Sequence, residues 1–382
     1  MGSRKAWLAT TALVTCTLLA SATPAPADVT SPSAVGGAQL ASTGLVIDAP
    51  GAKPLPKLTA GSFLLADLDT GDVLAARNPH GRLRPASTLK VLTAITVLPQ
   101  LDPDAVYTAE SADANAEGSR VGIVPAATYT VRQLFQGMFL VSGNDAASAL
   151  ANAAGGQRQT VARMNATAKS LDALDTTARN PSGLDAPGQY TSAYDLALFA
   201  RAGLARQDFR DYVTTVKTEF PGKMPKKGKA RKSFQIYTQD RLLLNYHGAI
   251  GVKTGWTTKA RGTFVGAATR DGHTLVATVM HTKASSWRES QALLEWGFAN
   301  IDKTRPVGSL NQVKHVTQAS SVRPNGVVQK VAATAVAGGH GLPLWTSLPI
   351  ALLFGVVALR ARVRLRRRAM RQRRRLPPRR AY

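Results

Sequence analysis

Cysteine is almost missing from this 382-residue chain, and the single one, Cys16, sits inside an apolar run near the N-terminus. One thiol supports neither a disulfide framework nor a cysteine-based metal site. Histidine is scarce as well: the six present show no metal-ligand spacing, so neither a metal nor a cofactor is expected. A Ser-His-Asp triad lacks support, because His273 lies beside a turn, His281 ends an apolar run, and nothing ties them or His247 to a nucleophile. Gly155-Gly156 does not have the spacing of a phosphate-binding loop. Acidic residues number only 23 against 48 Lys and Arg, for a formal charge of +25. Twelve of those charges are arginines between Arg360 and Arg380 and two are Arg4 and Lys5, which leaves +11 for everything else. Charge gathered at one end of a chain does not describe a nucleic-acid-binding face, and no nucleic-acid partner is expected.

What is present at the ends concerns membranes. Arg4 and Lys5 precede an apolar stretch over residues 6–19, and small residues follow at Ala20-Ser21-Ala22 and Ala25-Pro26-Ala27. This order predicts a cleaved secretory signal peptide over 1–27, which would remove Cys16. Residues 342–359 are apolar and, at about 27 Å as a helix, just long enough to cross a bilayer. The arginine block over 360–382 cannot readily be translocated, so the positive-inside rule places it in the cytoplasm against anionic lipid. A single-pass membrane protein results, with everything before Leu342 outside the cytoplasm. Residues 28–54 read as a linker, 55–302 as one folded unit and 303–341 as a stalk.

The chemistry begins at Ser87. Pro85 and Ala86 precede it, and Val91, Leu92, Ala94, Ile95 and Val97 recur at the spacing of a buried helix that starts near the serine. Lys90, three residues on, shares a helix face with Ser87. A serine hydroxyl near neutral pH needs a base, and a lysine serves as one only if burial or a second positive charge lowers its pKa. The helix N-terminus makes the Ser87 N–H a candidate oxyanion donor.

Two further clusters complete a proton relay. Ser142-Gly143-Asn144 follows the apolar stretch from Leu134 to Val141, which reads as a buried helix ending at a cleft. Ser142 is placed to pass protons between Lys90, Lys253 and a leaving amine. Asn144 offers an amide for a substrate carbonyl or for Lys90. Lys253-Thr254-Gly255 follows Ile250 and Val252, and the bare backbone at Gly251 and Gly255 suits an edge strand that lines a peptide groove. Lys253 and Thr254 would hold a terminal carboxylate, and the Trp256 N–H is the second candidate oxyanion donor. Each triplet alone marks only a helix start, a turn or a strand; the three in this order describe one acyl-transfer site.

Four stretches, PASTLKVLTA (85–94), SGNDAA (142–147), NPSGLDAPGQYTSAYDL (180–196) and GVKTGWT (251–257), resemble the low-molecular-mass penicillin-binding proteins that act as serine-type D-alanyl-D-alanine carboxypeptidases. The resemblance covers roughly residues 55–300. It implies that Ser87 forms an acyl-enzyme, Lys90 accepts the proton, Ser142 relays it, and Lys253 with Thr254 holds the substrate carboxylate. It further implies peptidoglycan stem peptides ending in D-Ala-D-Ala as substrate and β-lactams as covalent inhibitors. Relatives often carry an all-β domain after the catalytic unit, for which 303–341 is too short.

Residues 63–68, the turn Thr70-Gly71-Asp72 and residues 73–76 read as one hairpin; 263–269, Asp271-Gly272 and 274–281 read as another, followed by a helix through Trp287 and Trp296. Helical patterns fill 145–153, 160–171 and 192–205. The expected fold is therefore α/β (α+β), a β-lactamase/transpeptidase-like antiparallel sheet flanked by helices, with an inserted helical lobe. Alternatives on the same site are a β-lactamase, a transpeptidase or an endopeptidase, and from another class a non-catalytic wall-binding sensor. A basic run from Lys223 to Lys232 reads as a solvated loop able to touch anionic wall polymers.

Overall fold

The computed structural model describes residues 35–227, 229–310 and 328–329. The expected signal peptide, membrane span and arginine tail lie outside them. Among the described residues no helix is long and apolar enough to cross a membrane.

Two hairpins build the centre of an antiparallel sheet. β1 is Leu45–Ile47, β2 Ser62–Asp67 and β3 Asp72–Arg77. After the short pair β4 (Val106–Thr108) and β5 (Thr128–Thr130) and the hairpin β6 (Lys217–Pro221) and β7 (Ser233–Tyr237), the chain returns with β8 (Ala249–Thr257), β9 (Arg261–Arg270), β10 (His273–Thr282) and β11 (Gly308–Ser309). The strand order is β1-β3-β2-β10-β9-β8, with β11 also on β3. Strands from opposite ends of the sequence meet where β10 pairs β2, for example Ala277 with Leu65. Both expected hairpins are present: β2 keeps its length one residue earlier, β3 and β10 gain one residue at each end, and β9 gains two before and one after.

Period-two alternation divides this sheet between two cores. Phe63, Leu65, Phe264, Ala277 and Val279 face the helix Ser286–Asn300 through Leu293, Leu294 and Trp296. Leu64, Ala66, Val265 and Val276 face the helical lobe. β2 is consequently buried at every residue, as a strand covered on both faces must be.

The lobe comprises α1 (Lys90–Val97), α2 (Ser111–Ala114), α3 (Val131–Leu140), α4 (Asn144–Ala153), α5 (Gln157–Ser170), α6 (Ala193–Leu204) and α7 (Gln207–Val213); α8 (Arg241–Asn245) and α9 (Ser286–Asn300) follow. α1 is buried along its whole length. Its neighbours are α5 and α6, and α6 in turn packs on β2 and β10.

The folded unit reaches beyond 55–302 at both ends. β1 pairs with β3, Leu45 opposite Arg77, so Leu45–Ile47 of the expected 28–54 linker belongs to the sheet. At the other end Arg305 N–H donates to the Asp48 carbonyl at 2.8 Å, Ser309 N–H to that of Gly36 at 2.8 Å, and Gly308 pairs with Val73. The start of the expected stalk is therefore part of the same sheet edge. The two strands were missed because three and two residues are too few to show a period.

Candidate active site

Backbone constraints place Ser87 before any side chain does. Pro85 offers its carbonyl to two hydroxyls, Thr88 at 2.6 Å and Thr263 at 3.0 Å, and Ala86 takes a left-handed φ of 49°. A short 3-10 turn, Ala86–Leu89, then leads into α1. The edge strand β8 closes on this turn at Gly255, where a Cβ would stand 2.9 Å from the Ser87 nitrogen and 3.0 Å from that of Thr88. From the other side Gly183, at φ +82°, approaches so closely that a Cβ would lie 1.8 Å from the Ala86 carbonyl oxygen. Only glycine fits at either position.

Lys90, fully buried, has three hydrogen-bond partners at Nζ: Ser87 Oγ at 2.9 Å, Asn144 Oδ1 at 2.7 Å and the Ser182 carbonyl at 2.7 Å. Two of these three partners can only accept a hydrogen bond. A neutral amine has two N–H groups and one lone pair, so the two carbonyl oxygens take the N–H groups and turn the lone pair toward Ser87, whose hydroxyl can donate. Asn144 is held in the required orientation because its Nδ2 donates to the Glu117 carbonyl at 2.5 Å.

The electrostatics favour that neutral form. Burial, and then the positive charge of Lys253, hold the Lys90 ammonium well below the ordinary lysine range, against a smaller opposing pull from Asp145. Lys253 is buried to 1% exposure and donates to Ser142 Oγ at 3.0 Å and to the Thr254 carbonyl at 2.8 Å. Burial lowers it to about 8, with Asp240 pulling the other way. Two serines are thus each held by a buried lysine.

Ser142 sits at the tight corner between α3 and α4 with φ +60°, a left-handed conformation that a side-chain-bearing residue adopts at some cost. The corner is fastened by Asp145, fully buried, whose carboxylate accepts from the N–H groups of Val121 (2.9 Å), Gly122 (2.8 Å), Ile123 (3.1 Å) and Ala146 (2.9 Å). Thr254 is half-buried, and Trp256 is 68% exposed at the open side of β8. All eight residues singled out from the sequence, Ser87, Lys90, Ser142, Asn144, Lys253, Thr254, Gly255 and Trp256, belong to this one region of β8 and the lobe. Of the two uses open to Asn144, the structure shows the contact with Lys90.

The sequence reading missed the Ser182 carbonyl. The NPSGLD stretch was its signal: Asn180 Oδ1 accepts from Ser182 N–H (3.2 Å), Ser182 Oγ (3.1 Å) and Gly183 N–H (2.8 Å), and this turn presents the carbonyl to Lys90. Asp240 was missed too. Its Oδ1 caps α8 through Leu242 and Leu243 N–H (2.9 and 3.1 Å), while its buried Oδ2 has no hydrogen-bond partner. His80, the histidine most deeply engaged, bonds Asp175 at 2.7 Å and the Val35 carbonyl at 3.0 Å, away from Ser87. Among the described residues no cluster of His, Cys, Asp and Glu offers a metal site.

A nucleophile-and-lysine pair at a helix start, backed by a second serine-and-lysine pair on an edge strand, defines an acyl-transfer serine enzyme of the lysine-assisted kind. The comparisons place it more narrowly. A profile described as D-alanyl-D-alanine carboxypeptidase, peptidase family S11, matches residues 49–284, and the chain belongs to that family of serine-type carboxypeptidases. It is 43% identical over 267 residues to D-alanyl-D-alanine carboxypeptidase DacB2 of Mycobacterium tuberculosis, covering 68% of this chain and 89% of that one. It is 32% identical over 262 residues to DacF of Bacillus subtilis, where the match spans 66% of this chain and 65% of the relative. The crystal structure of a D-alanyl-D-alanine carboxypeptidase from Mycobacterium tuberculosis superposes with a TM-score of 0.65 at 43% identity, covering 69% of this chain and all of that one. The DD-transpeptidase of Streptomyces strain K15 gives 0.61 at 29%, over 65% of this chain and all of that one. The fold is therefore the β-lactamase/transpeptidase-like sheet and helices expected from the sequence.

Proposed function

We propose that this protein is a membrane-anchored serine carboxypeptidase that removes the terminal D-alanine from peptidoglycan stem peptides outside the cytoplasm. The observation that carries the reading is the lone pair of Lys90, aimed at Ser87 by two carbonyl acceptors in a site where burial disfavours the ammonium. Ser87 Oγ attacks the carbonyl of the penultimate D-alanine while its proton moves to Lys90 Nζ. The oxyanion faces the N–H groups of Ser87 and Trp256. Collapse of the tetrahedral intermediate breaks the peptide bond, and a proton passed through Ser142 accompanies the departing D-alanine. Lys253, charged at neutral pH, and Thr254 hold the terminal carboxylate. Water then cleaves the ester and regenerates the serine. A β-lactam carries the same amide and carboxylate, but its leaving nitrogen stays tethered to the acyl group. The location outside the membrane rests on residues 1–27, 342–359 and the arginine block.

The test is mass spectrometry of the protein after penicillin, and separately after a diacetylated L-Lys-D-Ala-D-Ala peptide. The expected result is a stable adduct on Ser87 and release of one D-alanine, both abolished by Ser87→Ala. Acylation that persists in that variant would overturn the assignment. A β-lactamase would instead lose the adduct quickly; here the hydrogen-bond partners of Lys90 are a hydroxyl and two carbonyls, none of them a carboxylate that could activate a deacylating water. Similarity to a DD-transpeptidase favours one second reading, in which an added amine diverts the acyl group from the free acid to an amide.

A further inference from the structure

The catalytic site makes no use of the basic run, and the structure gives that run a definite form. β6 and β7 are a regular hairpin, from Lys217 opposite Tyr237 to Pro221 opposite Ser233. Its inner face is anchored by Phe220, fully buried and stacked on Tyr129 at 5.4 Å, and by Ile236. Gly222 N–H donates to the Lys232 carbonyl at 2.8 Å and closes the base of the loop. Arg231 fastens that base: it donates to the Gly222 carbonyl at 2.9 Å and the Thr128 carbonyl at 2.8 Å, with its guanidinium 4.5 Å from the Tyr129 ring centre.

The lysines have no such fixed role. Lys217, Lys223, Lys226, Lys227, Lys229 and Lys232 are all exposed, and none forms an ion pair among the described residues. From Phe220 to Gln239 the chain has no acidic residue. Like charges gathered on one loop repel each other and create a field that attracts a multivalent anion. One end of the hairpin reaches the site, since Gln239 N–H donates to the Leu140 carbonyl at 2.8 Å, two residues before Ser142; the loop lies at its other end, where Arg231 meets the Thr128 carbonyl.

We propose that this loop is a docking surface for a linear polyanion with phosphodiester repeats, held on the hairpin whose opposite end reaches the catalytic site. A membrane surface fits less well. A loop that inserts at an interface places bulky apolar groups at its tip. Here the exposed aromatics are back on β7, Phe234 with its ring 5.9 Å from that of Phe220 and Tyr237 bonded to Gln235, and Met224 is the only large apolar side chain in the loop. Lysine in place of arginine also suits a repeating chain: a rotatable point charge tolerates any register, where a guanidinium fork selects one.

The experiment uses full-length protein in which the twelve tail arginines are glutamine, so that the tail cannot supply the binding, and titrates it with poly(glycerol phosphate) at several salt concentrations. Affinity should fall steeply with salt. Replacing Lys223, Lys226, Lys227, Lys229 and Lys232 together by Gln should weaken it by about tenfold or more and flatten the salt dependence. The same five replaced by Arg should bind as before. Release of D-alanine from a small soluble peptide should be equal in both variants, which verifies the fold. Equal polymer binding by the Gln variant overturns the proposal, as does equal binding of a neutral glucan. Binding of phosphatidylglycerol vesicles without binding of the polymer overturns it in favour of a membrane surface. The titration involves no turnover, so a failure of the carboxypeptidase reading would show separately, as absence of D-alanine release.

Discussion

Lysine occupies two opposite environments in this protein. Lys90 and Lys253 are buried beside serines and surrounded by fixed acceptors, while the lysines of the β6–β7 hairpin stand in solvent with no partner of opposite charge among the described residues. Burial lowers both members of the first pair, Lys253 to about 8 and Lys90 well below the usual range. The hairpin lysines contribute collectively, as a patch of surface charge. One side chain therefore serves as a proton carrier or as a unit of field according to how much water reaches it.

The comparison is broken most sharply by one substitution made in both places. Arginine keeps the positive charge but cannot release its proton. Lys90→Arg should lower the rate of Ser87 acylation by about 10² to 10⁴, the usual range for loss of a general base. Lys227→Arg should leave it unchanged. Stopped-flow acylation by a fluorescent penicillin measures both, and equal rates in the two variants would remove Lys90 from the role of base.

Glycines divide along the same line. At Gly183 a methyl group would lie 1.8 Å from the Ala86 carbonyl, whereas Gly272, also left-handed at φ +82°, has open space around it. Gly272→Ala should cost only the conformational penalty, about 1 kcal/mol. Gly183→Ala should cost about 2–4 kcal/mol, since backbone rather than a flexible side chain must move, and it should also slow acylation because the displaced segment carries Ser87. Denaturant titration read together with penicillin acylation separates the two. A Gly183→Ala protein as stable and as fast as the Gly272→Ala protein would mean that the 180–184 turn does not hold the nucleophile.

How much of this was legible in the sequence follows from what leaves a mark on residue type. The central hairpins showed as short apolar runs around Thr70-Gly71-Asp72 and Asp271-Gly272, because a strand covered on both faces is apolar nearly throughout and a tight turn needs glycine. Ser87, Lys90, Ser142 and Lys253 showed because their chemistry demands particular side chains. The Ser182 carbonyl did not, since every residue has one and only the Asn180 turn decides where it points. β1 and β11 were too short to carry a period, and their pairing with β3 depends on contacts far apart in sequence. Of the β6–β7 hairpin, the strand containing Phe234 and Ile236 was legible, but β6 was hidden for another reason: Lys217, Thr218 and Glu219 lack the apolar alternation of a strand, and Phe220 supplies most of its anchorage.

Asp240 offers the smallest and most selective test of the contrast between buried and exposed charge. Its carboxylate is itself pushed up by burial, and its negative charge raises the pKa of Lys253. Asparagine preserves the cap, because its Oδ1 accepts from Leu242 and Leu243 N–H as the carboxylate does, and the two residues cap helices about equally well. Only the charge is lost in Asp240→Asn. If Lys253 must be protonated to hold the substrate carboxylate, activity falls at alkaline pH as Lys253 titrates near 8. Removing the charge that raises this pKa moves that limb to lower pH. The acid limb, where neutral Lys90 is the requirement, should stay in place. Well below pH 8 Lys253 is charged in both proteins, so the rates there should agree within about threefold. The pH profile of kcat/KM for the soluble peptide reads both limbs at once. An alkaline limb that does not move, or an equal drop at every pH, would show that Asp240 contributes only to packing, and that the charge on Lys253 is set by its burial alone.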